Sequence, residues 1–335
     1  MLDIKRNLII DTTKAYGIVL VVIGHAPGIP ELLISLIYSF HMPLFFFISG
    51  YLLSSNRLRL ESWNGWLWRS GKTLFLPWLV FYVLSWGYQL MASIVRQDSL
   101  KGLLDMTPIR GFISGTSESM TVNLVLWFFP ALLLTSASFR LLYRAIGTKG
   151  TLIITTLLAL IWLYGSSILK SRWLWSADCV PIALFFYSWG FTIARYGDRI
   201  VLLFKQHTHP LWGGAWLSGL FFLVMLNGRV DLNGLSWGEH PLLYLPTAFW
   251  GIGGLLWLAT QTTRFNYTNW LSQNSLIIFP LHPLLFGGIT GFGMKILNLP
   301  TDFQYTNPAI GMIYVILALM LAYPAASLLR PLLIR

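Results

Sequence analysis

The sequence has little charge for its length. Only 10% of its 335 residues are Asp, Glu, Lys or Arg, whereas 56% are hydrophobic and 16% are aromatic. Soluble domains carry about 25% charged residues, so this composition excludes an ordinary soluble protein. Among the charged residues, the acidic ones are fewer, with 12 Asp and Glu against 23 Lys and Arg. The chain is therefore expected to be an integral membrane protein with a basic surface.

Cysteine is nearly absent as well. The single thiol, Cys179, excludes an intramolecular disulfide and a multi-cysteine metal site, and we expect no metal. A signal-peptide cleavage site is also missing, because "HAPGIPE" follows the first apolar run without an A-x-A-like group of small residues. We expect Cys179 to serve packing and the first helix to remain in the mature chain.

Long apolar runs make up most of the chain. A bilayer-spanning helix needs about 17 to 25 mostly apolar residues, and such runs are centred near residues 18, 42, 84, 131, 160, 187, 218, 251, 281 and 318. Their connections are too short for a separate soluble domain. The predicted fold class is all-α, a polytopic integral membrane helical bundle of about ten transmembrane helices, in one domain over residues 1–335.

The positions of Lys and Arg predict the orientation of the bundle. In short loops these residues accumulate on the cytoplasmic side. With the N-terminus inside, the cytoplasmic segments hold 15 of the 23 Lys and Arg, and the opposite side holds 7. Both termini are thus predicted to be cytoplasmic. Since topology explains the basic excess, no nucleic acid is expected as a partner, although membrane lipid or a phosphorylated ligand would suit the basic surface.

Ionisable residues interrupt the first predicted helix. In "DTTKAYGIVLVVIGHAP", the eleven-residue step from Lys14 to His25 is about three helical turns, so both side chains leave one face about 16 Å apart. Asp11 joins the same face. Each such group would cost about 2.5 to 3.5 kcal/mol in lipid, so the stripe of Asp11, Lys14 and His25 is expected to face protein or a wet cavity. Lys14 could alternatively extend its ammonium to the inner interface.

The second predicted helix combines a histidine with helix-disturbing residues. In "SFHMPLFFFISGYLL", Pro43 lacks a backbone N–H and frees carbonyls close to His41. His41 is either part of a polar site or a residue that only locks two helices together. Ser49 and Gly50 favour close helix packing over catalysis.

Three later segments carry further candidates. "RLRLESWNGWLWRSGKTLFLPW" contains the densest basic cluster, Arg57, Arg59, Arg69 and Lys72, which either determines topology alone or complements the phosphates of a ligand. "NLVLWFFP" opens the fourth helix with Trp127, and "NSLIIFPLHPLL" places His282 before a proline inside a span. A buried histidine with one satisfied hydrogen bond is the structural interpretation of His282, and its role is left open.

Together these segments resemble the acyltransferase-3 family, the polytopic membrane O-acyltransferases that modify bacterial surface sugars. The family's first-helix pattern of an acid, a base three residues later and a histidine eleven residues after the base matches Asp11, Lys14 and His25. "FFFISGYLL", "WRSGKTLFLPW", "LWFFP" and "NSLIIFPLHPLL" match four further motifs in order, so the resemblance covers most of the chain. Most members carry arginine at the position of Lys14, whereas a branch resembling sugar O-acetylases carries lysine.

The resemblance implies an O-acyltransferase, most simply an O-acetyltransferase, of the bacterial inner membrane. An acyl group would pass from cytoplasmic acyl-CoA (acetyl-CoA) to a hydroxyl of a cell-surface or exported polysaccharide sugar. We expect Lys14, Arg69, Lys72 and Trp127 to contact the donor, with Asp11 orienting Lys14. His25 is the expected general base; an acyl-histidine intermediate on His25 or His41 is the alternative chemistry.

Two other classes of function stay open from the sequence. A proton-coupled transporter could use the stripe of Asp11, Lys14 and His25 as a proton relay, although no pair of broken helices recurs in two halves of the chain. A membrane scaffold without catalysis would need the stripe for packing only. Release of a thiol from labelled acetyl-CoA would distinguish the enzyme from both.

Overall fold

A computed structural model describes residues 7–95, 106–196, 206, 209–262 and 266–333, and every structural statement below refers to these residues. The two chain termini and several charged residues that entered the orientation argument, including Arg96, Arg199 and Arg264, lie outside the described residues.

The regular secondary structure of the described chain is helical, apart from one isolated bridge between Asp231 and Ser236. We number the α-helices in chain order, and their bounds are α1 Leu8–His25, α2 Glu31–Tyr38, α3 His41–Tyr51, α4 Ser55–Leu60, α5 Trp63–Ser70, α6 Leu76–Val95, α7 Thr107–Ser114, α8 Phe128–Gly165, α9 Val180–Tyr196, α10 Pro210–Asn227, α11 Pro241–Thr262, α12 Asn266–Lys295 and α13 Pro308–Leu333. A π-helical turn, Gly71–Phe75, joins α5 to α6. The all-α prediction is confirmed.

Helix α1 defines the two sides of the bundle. It begins at the N-cap Asn7, whose side chain accepts hydrogen bonds from Ile9 N and Ile10 N, and ends at His25. We call the side of Asn7 the N-side and the side of His25 the distal side. Helices α2, α3, α11, α12 and α13 all contact α1, so α1 lies inside the bundle. Its polar stripe therefore has protein around it, as the cost of charge in lipid requires.

The second span is broken into two short helices. α2 ends at Tyr38 and α3 begins at His41, with Phe40 at φ −146° between them. Pro43 explains the position of the break, because it cannot donate to the carbonyl of Ser39, four residues earlier, and its ring crowds that carbonyl. The predicted disturbance thus lies directly before His41.

Nine helical segments of the described chain are long and apolar enough to span a bilayer. The segment Leu124–Ile168 has 45 residues, about twice the length that one crossing needs. Within it, Gly147 leaves the helical conformation at φ 68°, ψ −173°. Trp127 lines a cavity with His25 on the distal side, and Arg140 binds Glu61 on the N-side. Ser166 accepts a hydrogen bond from Trp237, which belongs to the same loop as Asp231, another residue that lines the cavity of His25. With two crossings assigned to this segment, the described chain has ten, in agreement with the predicted number.

The first and last helices meet on the N-side. Arg330 in the last turn of α13 donates to Gln273 (3.1 Å), and the neighbouring Ser272 donates to Asp11 in the first turn of α1 (3.0 Å). Both ends of the described chain thus lie on one side, as an even number of crossings requires.

Candidate functional site

The polar stripe of α1 ends in two different cavities. Lys14 lines the first, which we call the N-side cavity, with a volume of about 270 Å³. His25 lines the second, the distal cavity, with a volume of about 300 Å³. Asp11 lies one turn before Lys14 and accepts a hydrogen bond from Ser272 (3.0 Å). The helix that carries all three residues therefore connects two cavities on opposite sides of the bundle.

All charged side chains that line the N-side cavity in the described chain are cationic. Its lining includes Lys14 of α1, Arg57 of α4, Arg69 of α5 and Arg140 of α8. The Arg140 side chain is only 1% exposed, and its Nε has no hydrogen-bond partner among the described residues. An unpaired buried donor costs about 1 to 3 kcal/mol. A cavity built in this way is suited to an anionic ligand.

Glu61 links two of these arginines. Its carboxylate accepts two hydrogen bonds from Arg69, Nε to Oε1 at 2.9 Å and Nη2 to Oε2 at 2.8 Å, and Arg140 Nη1 lies 3.1 Å from Oε2. Arg140 also donates to the carbonyl oxygen of Glu61. The hydrogen bonds from Arg69 hold the pKa of Glu61 below its ordinary value, with charge attraction from Arg69 and Arg140 adding to the effect. Glu61 is thus the internal counterion of the cluster.

Sequence reasoning did not identify Glu61 or Arg140 as site residues. A signal for Glu61 existed, since it is the only acid among the four bases of the predicted basic cluster. For Arg140 there was no local signal, because it lies 79 residues from Glu61 in the chain.

The structure separates Lys72 from the other predicted donor contacts. Its Nζ lies 4.5 Å from the ring centroid of Trp68, and it lines a neighbouring groove together with Gln273 and Leu333. Lys72 is not among the residues that line the N-side cavity in the described chain. Arg69 and Lys14 do line it together.

In the distal cavity, the imidazole of His25 is held by its own helix. Its Nδ1 lies 2.9 Å from the carbonyl oxygen of Val21. A carbonyl oxygen only accepts, so Nδ1 carries the proton and Nε2 of the neutral ring keeps its lone pair. The hydroxyl of Tyr38, which also lines the cavity, lies 3.5 Å from Nε2. His25 thus presents a basic nitrogen towards the cavity.

Two further histidines pack around His25. His41 is arranged in the same manner, with Nδ1 3.0 Å from the carbonyl oxygen of Ile37, and its ring centroid lies 6.4 Å from that of His25. His282 approaches His25 still more closely, at 5.1 Å between ring centroids. It is 1% exposed, and neither of its ring nitrogens makes a hydrogen bond of ordinary geometry to a described residue. The single satisfied hydrogen bond expected of a structural histidine is therefore not found at His282.

Polar and aromatic side chains complete the distal cavity. Trp127, Glu118, Asp231 and Asn233 also line it. The structure therefore places Trp127 beside His25 and not beside Arg69. Asp231 was not identified from the sequence; it lies in the loop between α10 and α11, where its Oδ1 accepts from Asn233 N (2.9 Å). Within the described residues, no three His, Cys, Asp or Glu side chains are placed to hold a metal ion.

Comparison with known proteins supplies an independent finding. A family model described as an acyltransferase domain matches residues 7–327. The nodulation protein NolL of Mesorhizobium japonicum is 27% identical over 254 residues, which are 72% of this chain and 59% of that protein. The chain thus spans about three-fifths of the length of this curated relative. No solved structure matches the chain.

Proposed function

The chain belongs to the membrane acyltransferase family whose domain spans residues 7–327, and we propose that it transfers an acyl group, acetyl in the simplest case, from acyl-CoA to a sugar hydroxyl. The acceptor is a cell-surface or exported glycan, the N-side is cytoplasmic, and the membrane is the bacterial inner membrane. Membership in this family favours the enzyme over the proton-coupled transporter. The observation that carries the proposal is that α1 places Lys14 in a cationic cavity and His25 in a second cavity on the other side.

The donor enters the N-side cavity. Acyl-CoA carries several phosphate charges, and the lining guanidinium and ammonium groups complement them. Arg69 and Arg140 are held in place by Glu61, so their geometry is set before a ligand arrives. The buried Nε of Arg140 gains a partner when an anion binds. Lys14 provides a point charge, since an ammonium lacks the two-pronged geometry of a guanidinium.

The acceptor hydroxyl meets His25 in the distal cavity. As the hydroxyl oxygen attacks the thioester carbonyl, Nε2 of His25 takes its proton; the new C–O bond forms, the C–S bond breaks, and the proton passes to the leaving thiolate. General-base assistance of this kind contributes about 10² to 10⁴-fold. In the alternative chemistry, Nε2 first attacks the thioester itself and releases the thiol, and the acyl-imidazole then transfers its acyl group to the hydroxyl.

Variants at the two ends of the stripe test the proposal. His25→Ala is expected to lower sugar acylation by about 10² to 10⁴-fold while acyl-CoA binding persists. Lys14→Ala is expected to weaken acyl-CoA binding, and Lys14→Arg to restore more activity than Lys14→Ala. Donor binding, acylation and melting temperature are measured on purified protein, with His240→Ala as the control, because His240 is exposed and lines neither cavity. Near wild-type acylation by His25→Ala would falsify the proposal. Equal loss of donor binding, acylation and stability in His25→Ala and Lys14→Ala would show that the stripe serves helix packing only.

A further inference from the structure

One side chain forms the partition between the two cavities. Phe279 of α12 lines the N-side cavity together with Lys14 and lines the distal cavity together with His25. Among the described residues no other side chain lines both. The Phe279 side chain is nevertheless buried, at 4% exposure. Phe279 therefore lies at the wall that the two cavities share.

Aromatic neighbours support this wall. The ring centroid of Phe279 lies 5.2 Å from that of Phe128, and Phe128 in turn lies 6.2 Å from Phe45. Both neighbours line the N-side cavity. Phe129 packs on Phe279 from another direction, at 6.2 Å, and lines neither cavity. The ring centroid of Phe279 also lies 6.3 Å from that of His282, the histidine that packs against His25.

The helix that carries Phe279 contains two prolines next to this residue. Pro280 and Pro283 lie inside α12, and their missing N–H groups leave the carbonyls of Leu276 and Phe279 without the usual partner four residues on. Asn123 Nδ2 donates to the carbonyl of Pro280 (2.9 Å) and so steadies the turn from outside the helix. Because two helical hydrogen bonds are already absent, Phe279 can shift with less loss than a residue in a regular helix.

We propose that Phe279 is the residue that divides a donor cavity from an acceptor cavity and determines which acyl groups cross between them. The inference rests on the proposed function. A small acyl group on a thioester arm passes when the ring of Phe279 turns aside, whereas the ring keeps water and ions of one side from the other. Exclusion of water also protects the activated acyl group from hydrolysis.

Access of a charged thiol reagent tests the wall without requiring acyl transfer. In a Cys179→Ala background, Ser117→Cys places one thiol in the distal cavity. Membrane vesicles of each orientation are treated with a membrane-impermeant cationic methanethiosulfonate. With Phe279 in place, labelling is expected from the distal side only; with Phe279→Ala, it is expected from both sides.

Phe129→Ala is the matched control, since it removes the same ring from the same aromatic cluster without touching either cavity. It is expected to leave N-side labelling absent. If Phe279→Ala does not fold, Phe279→Leu takes its place with a smaller expected increase. Absence of N-side labelling in the folded variant, or an equal increase in Phe129→Ala, would overturn the assignment.

Donor range supplies the second measurement. Phe279→Ala is expected to hydrolyse acetyl-CoA without acceptor at least tenfold faster than the unaltered protein and to accept octanoyl-CoA better relative to acetyl-CoA. An unchanged hydrolysis rate and donor preference would contradict the selective role. If labelling changes as predicted but the unaltered protein is inactive towards every acyl-CoA, the proposed function is refuted and the role of Phe279 as a wall stands. If the protein transfers acyl groups but Phe279→Ala leaves labelling unchanged, only the role of Phe279 is refuted.

Discussion

His25 and His41 obtain their tautomers from the helices that carry or precede them. Each Nδ1 donates to a carbonyl four residues earlier, Val21 for His25 and Ile37 for His41. The basic Nε2 of each ring is therefore fixed without a carboxylate partner, unlike the histidine of a Ser-His-Asp triad. Tyr38 contacts both rings, at 5.9 Å from His25 and 4.7 Å from His41 between centroids. A substitution at Tyr38 would thus alter the surroundings of both histidines together.

Glu61 provides a pH-dependent prediction. Its pKa is lowered in the folded protein by the hydrogen bonds from Arg69, so its stabilising contribution is present above its unfolded value, near 4.5, and is lost as the pH falls through the folded value. Glu61→Gln removes that contribution and leaves Arg140 buried without its counterion. At pH 7 we expect a loss of about 2 kcal/mol or more, seen as a lower melting temperature.

The gap in melting temperature between Glu61→Gln and the unaltered protein is expected to narrow as the pH is lowered from 7 to 4. Glu118→Gln serves as the control, because Glu118 is 70% exposed and its ion pair with Arg172 is longer, at 3.7 Å. A gap of constant size across this pH range would show that the Glu61 charge does not stabilise the fold.

At the scale of elements, the crossing of α3 and α9 requires glycine on both helices. A Cβ on Gly50 would overlap the carbonyl oxygen of Tyr187, and a Cβ on Gly190 would overlap that of Phe47. Each glycine thus lets the partner helix approach to backbone contact, which is the usual use of small residues in membrane bundles. The predicted packing role of Gly50 is confirmed. Tyr187 also lines the N-side cavity, so this crossing helps to shape that cavity.

Gly50→Ala is therefore expected to destabilise the protein by about 1 to 3 kcal/mol or more, because the two backbones must separate. Gly253→Ala makes the matched control: Gly253 also lies within a spanning helix, α11, but a Cβ there meets no atom within 4 Å. Thermal unfolding in detergent measures both. Equal melting temperatures for the two variants would mean that the crossing tolerates a methyl group.

At the scale of the whole molecule, ten crossings and a shared side for the two ends predict the location of each loop. A reporter fused after Lys149, close to the turn at Gly147, is expected on the N-side, and one fused after Arg229, which pairs with Glu31 (2.7 Å), on the distal side. Alkaline phosphatase should be active only at Arg229 and a fluorescent protein only at Lys149 if the N-side is cytoplasmic. Finding both positions on one side would refute the ten-crossing topology.

The two cavities differ in the sign of the charged side chains that line them. The N-side cavity has Lys14, Arg57, Arg69 and Arg140 in its lining, whereas the charged side chains that line the distal cavity in the described chain are Glu118 and Asp231. A long-range field of this kind attracts an anion to the N-side and repels it from the distal side. The polarity is in keeping with an anionic donor and a glycan acceptor that enter from opposite sides.

The membrane class, the all-α fold, the number of crossings and the stripe of α1 were all predictable from the sequence, because hydropathy over about twenty residues and the 3.6-residue period are local properties. The sequence also placed Pro43 at the break before His41. The family resemblance was also local, because it rests on short motifs, each of which is recognised without reference to the others.

Which of these residues contact one another was not predictable and is seen in the folded chain. The tertiary structure brought His282 of α12 within 5.1 Å of His25, joined Arg140 to Glu61, placed Trp127 with the histidines, and separated Lys72 from Lys14. It also put Phe279 between the two cavities. These contacts depend on the order in which ten helices pack and on the rotation of each about its axis. Both are set by side-chain packing between distant segments, and no local pattern in the sequence encodes them.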